Sequence, residues 1–336
     1  MRRAILAIVT ALSMSVWYGC NDNDEPEYIV DPEPVGSDWI DADFARALQE
    51  RGYIKDVSAV TPQEVASLTS VDVSGEEDDD GNPTGTLASV KGIEYFTSLE
   101  TFICANNLIT KLDMSKNTRL TTLACAQNQL AELDVTNSPE LVYLDCMGNK
   151  LTTVDISHNP KLKEFYCFKN DIRQLDLSRS VKLKTFWCNE NSLNQLDLSS
   201  CTELSELVCM KNKLVELNVS QNANLVVLYC NHNFLKEIDV TNNPQLRDIW
   251  CEYNKLTTID VSRCTHLQSL DCSNNMLTGL DISHSTGLMV MLCTNNPGEN
   301  GKFRVKAWFD NDSVPDVFTK TPWNYNGTTV AIEYYK

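Results

Sequence analysis

Thirteen cysteines stand in this 336-residue chain, and ten of them recur every 21 residues, from Cys104, Cys125 and Cys146 through to Cys293. Thiols at regular intervals could form disulfides, hold zinc, or serve as small apolar side chains. The period decides between these. A fixed repeat of this length means one small unit stacked on copies of itself. Cysteines on adjacent rungs then have parallel Cβ vectors about 4.8 Å apart, beyond the roughly 3.5–4.5 Å that a disulfide needs. No Cys or His pair has the C-x-x-C-like spacing of a zinc site. The ten are therefore expected to be reduced, buried thiols. Cys201 and Cys264 lie three repeats apart, roughly 14 Å by the rung spacing, and cannot bridge each other.

Two polar columns share the period. Asparagine stands three residues after every ladder cysteine, from Asn107 to Asn296. Its amide both donates and accepts, which suits a tight turn leaving a strand. An aspartate recurs at 113, 134, 155, 176, 197, 239, 260 and 281, with Asn218 once in its place. A row of carboxylates could take calcium, but Asn218 enters without other changes. An Asx-type bond to the local backbone is the simpler expectation. Asp78, Asp80 and Asn82 resemble a calcium loop only faintly, without the required glutamate, and are read as a solvated loop. The four histidines are scattered, and no nucleophile elbow, phosphate loop or metal motif appears. No enzymatic activity, cofactor or metal is expected.

The elements that position these residues follow from the rest of the unit, L-x-x-L-x-C-x-x-N-x-L-x-x-L-D-[V/I/L]-S. Stretches such as Leu144-Asp145-Cys146 alternate with period two and predict short strands with one buried face. Copies 21 residues apart are too distant for hairpins, so the strands must stack in parallel. No unit can bury its leucines alone, so neighbours share one continuous core. Ten rungs make a solenoid roughly 48 Å long.

This pattern resembles the leucine-rich repeats, specifically the 21-residue class with a cysteine ladder found in internalin-type proteins and Bacteroidetes surface lipoproteins. The resemblance spans residues 99–298. It implies a curved solenoid with a parallel sheet on its concave face, and no particular ligand.

The ends read differently. Arg2 and Arg3, the apolar run from Ala4 to Val16, and Gly19-Cys20 resemble a bacterial lipoprotein signal. On that reading residues 1–19 are removed, and Cys20 carries the lipid that anchors the protein in the outer membrane, facing outward. Residues 20–40 are an acidic, proline-bearing flexible tether. Residues 41–98 form an N-terminal cap and irregular first repeat. Asp41 or Asp43 caps a helix carrying Phe44 and Leu48 that Gly52 ends, and Thr61-Pro62-Gln63-Glu64 opens a second. Residues 299–336 form a β cap, with strands over Phe303–Phe309 and Thr329–Tyr335. The formal net charge of −18 argues against nucleic acid and anionic lipid as partners.

Function is then expected on the face that stacking creates. Counting from the cysteine, positions −3, −1 and +1 should point from the sheet into solvent. They place Tyr143, Tyr166, Phe168, Trp187, Tyr229 and Trp250 on one strip, with Glu164 and Glu206 beside them and Tyr253 one place further on. Exposed aromatic patches mark interaction sites. The expected partner is a host or bacterial surface protein bound by a monomer, in adhesion or protein–protein interaction. The alternative is a glycan stacked on the rings.

Overall fold

The computed structural model describes residues 38–336. Cys20, the signal segment and most of the tether lie outside the described residues. Eleven parallel strands form one sheet in chain order, β1 to β10 followed by β12. β1 is Ser70–Asp72, β2 Thr101–Ile103, β3 Thr122–Ala124, β4 Tyr143–Asp145, β5 Glu164–Tyr166 and β6 Thr185–Trp187. β7 is Glu206–Val208, β8 Val227–Tyr229, β9 Asp248–Trp250, β10 Ser269–Asp271 and β12 Val290–Leu292. Register is one-to-one, so Tyr143, Glu164 and Thr185 stand in one column, and Asp145, Tyr166 and Trp187 in the next.

The core consists of the inward residues. Leu99 and its equivalents, the middle residue of each strand, and every ladder cysteine are buried. Where the middle residue is phenylalanine on consecutive rungs, Phe165 and Phe186, the rings stack at 5.5 Å. All ten ladder thiols, with Cys201 and Cys264, are free and buried, and burial raises their pKa values. Cys201 and Cys264 are held near 12 and 11. They are poor nucleophiles and serve as apolar packing.

The asparagine column holds the rungs together. Asn149 Nδ2 donates to the carbonyls of Cys146 and Met147 in its own rung, at 3.0 and 3.2 Å, and to Cys125 in the preceding rung at 3.0 Å. Its Oδ1 accepts the Leu130 N–H at 2.9 Å. The arrangement recurs down to Asn296. In the irregular first repeat Val73 takes the cysteine position, and Asn107 donates to its carbonyl. The aspartate column behaves as an Asx turn: Asp155 Oδ1 accepts the Ser157 N–H at 2.9 Å, and Asn218 does the same for Ser220 at 3.0 Å.

One feature was not anticipated. The residue two past each ladder cysteine has a left-handed backbone, with φ between 51° and 62°, in all ten repeats. Gly148 takes this conformation without strain, and Asn106, Asn274 and Asn295 are of the type that tolerates it best after glycine. The rest include Lys169, Glu190, His232 and Tyr253. The ladder continues through the bend, as in Gly148 N–H to Phe168 carbonyl at 2.9 Å, and these bonds compensate the strain.

Both ends are covered. Helix α1, Ala42–Glu50, is capped by Asp41 Oδ1, which accepts from Asp43 and Phe44 N–H, and it buries Phe44 and Leu48. Gly52 follows with φ +75°. Helix α2, Pro62–Val65, is capped by Thr61 Oγ1. At the other end β11 (Gly279–Asp281), β13 (Lys302–Lys306), β15 (Thr328–Tyr335) and β14 (Trp323–Tyr325) form a second sheet in that order. The cap thus grows from the second half of the last full repeat. Phe303, Val305, Trp323 and Tyr334 are buried beneath it, and Trp323 Nε1 donates to the Asn296 carbonyl at 2.8 Å.

Candidate functional site: the aromatic and acidic face of the sheet

Since the middle residue and the cysteine of each rung face inward, the first and third strand residues face out. This places Tyr143, Glu164 and Glu206 in the first outward column, and Tyr166, Trp187, Tyr229 and Trp250 in the second. The rings do not stand free. Tyr143 and Tyr166 lie 5.5 Å apart between centroids, and Tyr166 meets Trp187 edge-on at 5.2 Å. Tyr229 and Trp250 stack face to face at 4.3 Å and 15°. All five are half-buried. Such contacts add roughly 0.5–1.5 kcal/mol each beyond burial, so the rings also stabilise the ladder.

Carboxylates are threaded between the rings. Tyr166 donates its hydroxyl proton to Glu164 Oε2 at 3.0 Å, and Trp187 Nε1 donates to Glu206 Oε1 at 3.0 Å. Asp145 is buried at 9% exposure, with only the Met147 N–H as a hydrogen-bond donor. Burial pushes its pKa up to about 7. Glu252, one place past Cys251, is also raised by burial to about 7. Glu206 and Asp248 are raised for the same reason.

Two further observations fix the fold class. A domain of InlJ from Listeria monocytogenes, described as including a cysteine ladder, matches with a TM-score of 0.61 and 33% identity, over 75% of this chain and 58% of that one. The repeat read above also carries a cysteine ladder. The chain has the leucine-rich repeat fold. The internalin InlF, also from Listeria monocytogenes, matches in fold with a TM-score of 0.60 and 20% identity, over 81% of this chain and 85% of that one. A TDR receptor does so with a TM-score of 0.64 and 20% identity, over 80% and 50%. The chain spans 58% of the InlJ structure's length. No protein-family model matches it, and no curated protein does.

Within the leucine-rich repeat frame three expectations need correction. The +1 position is only partly open: Met147, Met210 and Glu252 are half-buried like the outward residues, and others are covered. Phe168 is only 8% exposed, and its ring packs 6.0 Å from Trp187. Asn189, Asn231 and Ser273 at the same position are buried too. The left-handed residue that follows turns the chain out of the strand. Tyr253 occupies that bend rather than the sheet; it is 50% exposed and stacked on His232 at 4.3 Å. Finally, the strip is interrupted: Val208, buried in register between Trp187 and Tyr229, divides it into a group of four rings and a pair.

Sequence reasoning missed the flank beside that pair. His232 stacks on Tyr253, and Phe234 and Met276 are 46% and 45% exposed, with Lys255 Nζ 5.0 Å above the Phe234 ring. The signal was present, since these residues hold equivalent positions two and four past their cysteines. The opposite side carries a concavity lined by Gln195, Glu216 and Glu237 with Asp197, Asp239 and Asp260. Its aspartates are engaged by their own turns.

Proposed function

We propose that the mature chain is a surface lipoprotein, anchored through Cys20, that binds a protein partner across the outward face of its sheet. The observation that carries this reading is the ring system of Tyr143, Tyr166, Trp187, Tyr229 and Trp250. The core is complete without it, because leucines, cysteines and the asparagine column already hold the rungs. Five large amphipathic rings on five of six consecutive rungs form a preorganised contact surface, and Tyr and Trp dominate interface energetics. Adhesion or protein–protein recognition is the role such a surface serves. The recurrent Ser and Asp side chains are occupied in turns, which supports a scaffold rather than a catalyst.

Glycan capture uses open ring faces. Here Tyr229 and Trp250 cover each other at 4.3 Å, and the Trp187 N–H is committed to Glu206. That favours a protein partner. The test is recovery of a host or bacterial surface protein on the immobilised mature protein, run beside a glycan array. The Trp187→Ala/Trp250→Ala double variant should lose the captured protein while remaining folded by circular dichroism. Polysaccharide binding with no protein recovered would overturn the reading, as would a folded double variant that binds normally.

A further inference from the structure

The outward columns carry a charge pattern that the core does not need. Positions −3, −1 and +1 hold Asp145, Glu164, Glu206, Asp248, Glu252 and Asp271, and no Lys, Arg or His in any of the ten repeats. At the edges of the sheet the protein pairs its charges from rung to rung, as in Lys182–Glu203 at 2.6 Å, Lys211–Glu190 at 3.3 Å and Lys161–Glu140. None of the six acids on the face has a salt-bridge partner among the described residues. Arg247 adjoins Asp248 and Lys163 adjoins Glu164 in the chain, but neither forms a salt bridge with these acids. Placing carboxylates in a half-buried aromatic surface without a counter-charge is costly. Such unpaired groups cluster where a ligand completes them.

Two buried atoms point the same way. Asn231 is 5% exposed and its Oδ1 has no hydrogen-bond partner, and Glu252 Oε2, one rung on, is also buried and unpartnered. Both flank the Tyr229–Trp250 pair; the Asn231 side chain lies close enough to the Glu252 carboxylate to lower its pKa, so Asn231 Oδ1 is the clearer acceptor in want of a donor. At the other group, the Tyr166 and Trp187 bonds orient Glu164 and Glu206 and each engages one carboxylate oxygen. The second oxygen is left for an incoming donor.

Resting on the binding face proposed above, we infer that the partner presents a cationic segment: an extended stretch of protein with Arg or Lys side chains that meet Glu164 and Glu206 between the rings. Guanidinium and ammonium groups are attracted to Trp and Tyr ring faces, and guanidinium brings five N–H donors to acceptors. The rings and carboxylates run from β4 to β9. Five rung steps make about 24 Å, the length of about seven residues of extended chain. A segment with basic residues at alternate positions could therefore reach both groups of rings.

The probe is a fluorescein-labelled 12-residue peptide alternating Gly and Arg, measured by anisotropy against the mature protein, with Gly–Gln and Gly–Glu peptides as controls. The Gly–Arg peptide should bind at least tenfold more tightly than Gly–Gln, and Gly–Glu should not bind. Glu164→Gln/Glu206→Gln keeps both acceptors for Tyr166 and Trp187 and should weaken Gly–Arg binding about tenfold or more. Glu216→Gln/Glu237→Gln removes the same charge from the opposite side and should stay within twofold of wild type. Equal losses in the two double variants would reduce the effect to net charge and overturn the inference. So would equal binding of Gly–Arg and Gly–Gln, or no binding of either. Retained capture of the protein partner by Glu164→Gln/Glu206→Gln, with loss in Trp187→Ala/Trp250→Ala, would sink the cationic segment while leaving the binding face intact.

Discussion

Replacing Asp145 with asparagine should stabilise the protein at neutral pH and make little difference in strong acid. Asp145 is buried, with one hydrogen bond to its carboxylate and no cation to offset its charge. It titrates near 7 in the fold, against an ordinary value of 3.8. The folded state therefore holds its proton more tightly than the unfolded chain does. Stability falls as pH rises through that window, by up to about 1.4 kcal/mol per pH unit, and levels off above pH 7. The penalty above pH 7 is on the order of 4 kcal/mol. Asparagine keeps an acceptor for the Met147 N–H and never ionises. Thermal and urea unfolding of both proteins at pH 3.5, 5, 6.5 and 8 would show the variant gaining on wild type from about pH 4 upward. A difference that does not change with pH, or a variant less stable at pH 8, would refute the reasoning. It would mean the carboxylate is solvated or paired.

Other expectations concern the ladders and the anchor. Thiol reagents should label few of the ladder cysteines before denaturation, and Cys188→Ser should cost roughly 1–3 kcal/mol in urea unfolding, because a hydroxyl would be buried with uncertain partners. Asn149→Ala strands the Leu130 N–H and removes the donor to three carbonyls, so it should cost roughly 3 kcal/mol or more; Asn218→Asp, which restores the column's usual residue, should stay within about 0.5 kcal/mol. Cys20→Ser should release the protein from the membrane fraction or block its maturation, and retention with no incorporated lipid would count against the anchor.

The solenoid was legible because its information is repeated. Ten copies of leucine, cysteine and asparagine at one spacing leave a single way to bury the apolar set and satisfy the turn. The Asn149 and Asp155 bonds follow from residue chemistry alone. The site was only partly legible, because it depends on deviations from strict alternation. Phe168 looked exposed by period two, yet its ring is covered by Trp187 and only 8% exposed. Residue preference marks the left-handed bend after it only weakly: Asn106, Gly148, Asn274 and Asn295 suit a left-handed backbone, but Gln, Lys, Glu, His and Tyr occupy it elsewhere. Val208, on the rung between Trp187 and Tyr229, is a buried gap between larger neighbours. The pairing of Tyr229 with Trp250 depended on side-chain angles that sequence does not encode. The edge patch of His232, Tyr253 and Phe234 was hidden by reading each histidine as isolated, when its partner lies 21 residues on.

The claim that the outward face of the sheet is the binding surface is tested most directly by site-specific photo-cross-linking. A benzophenone amino acid is placed at Thr185 or Val227, half-buried positions on that face, or at Thr258 on the opposite side. Each protein is then irradiated with the macromolecule captured by wild type. The account predicts covalent adducts from positions 185 and 227 and none from 258. Adducts from 258 alone would place the binding surface on the other side of the solenoid.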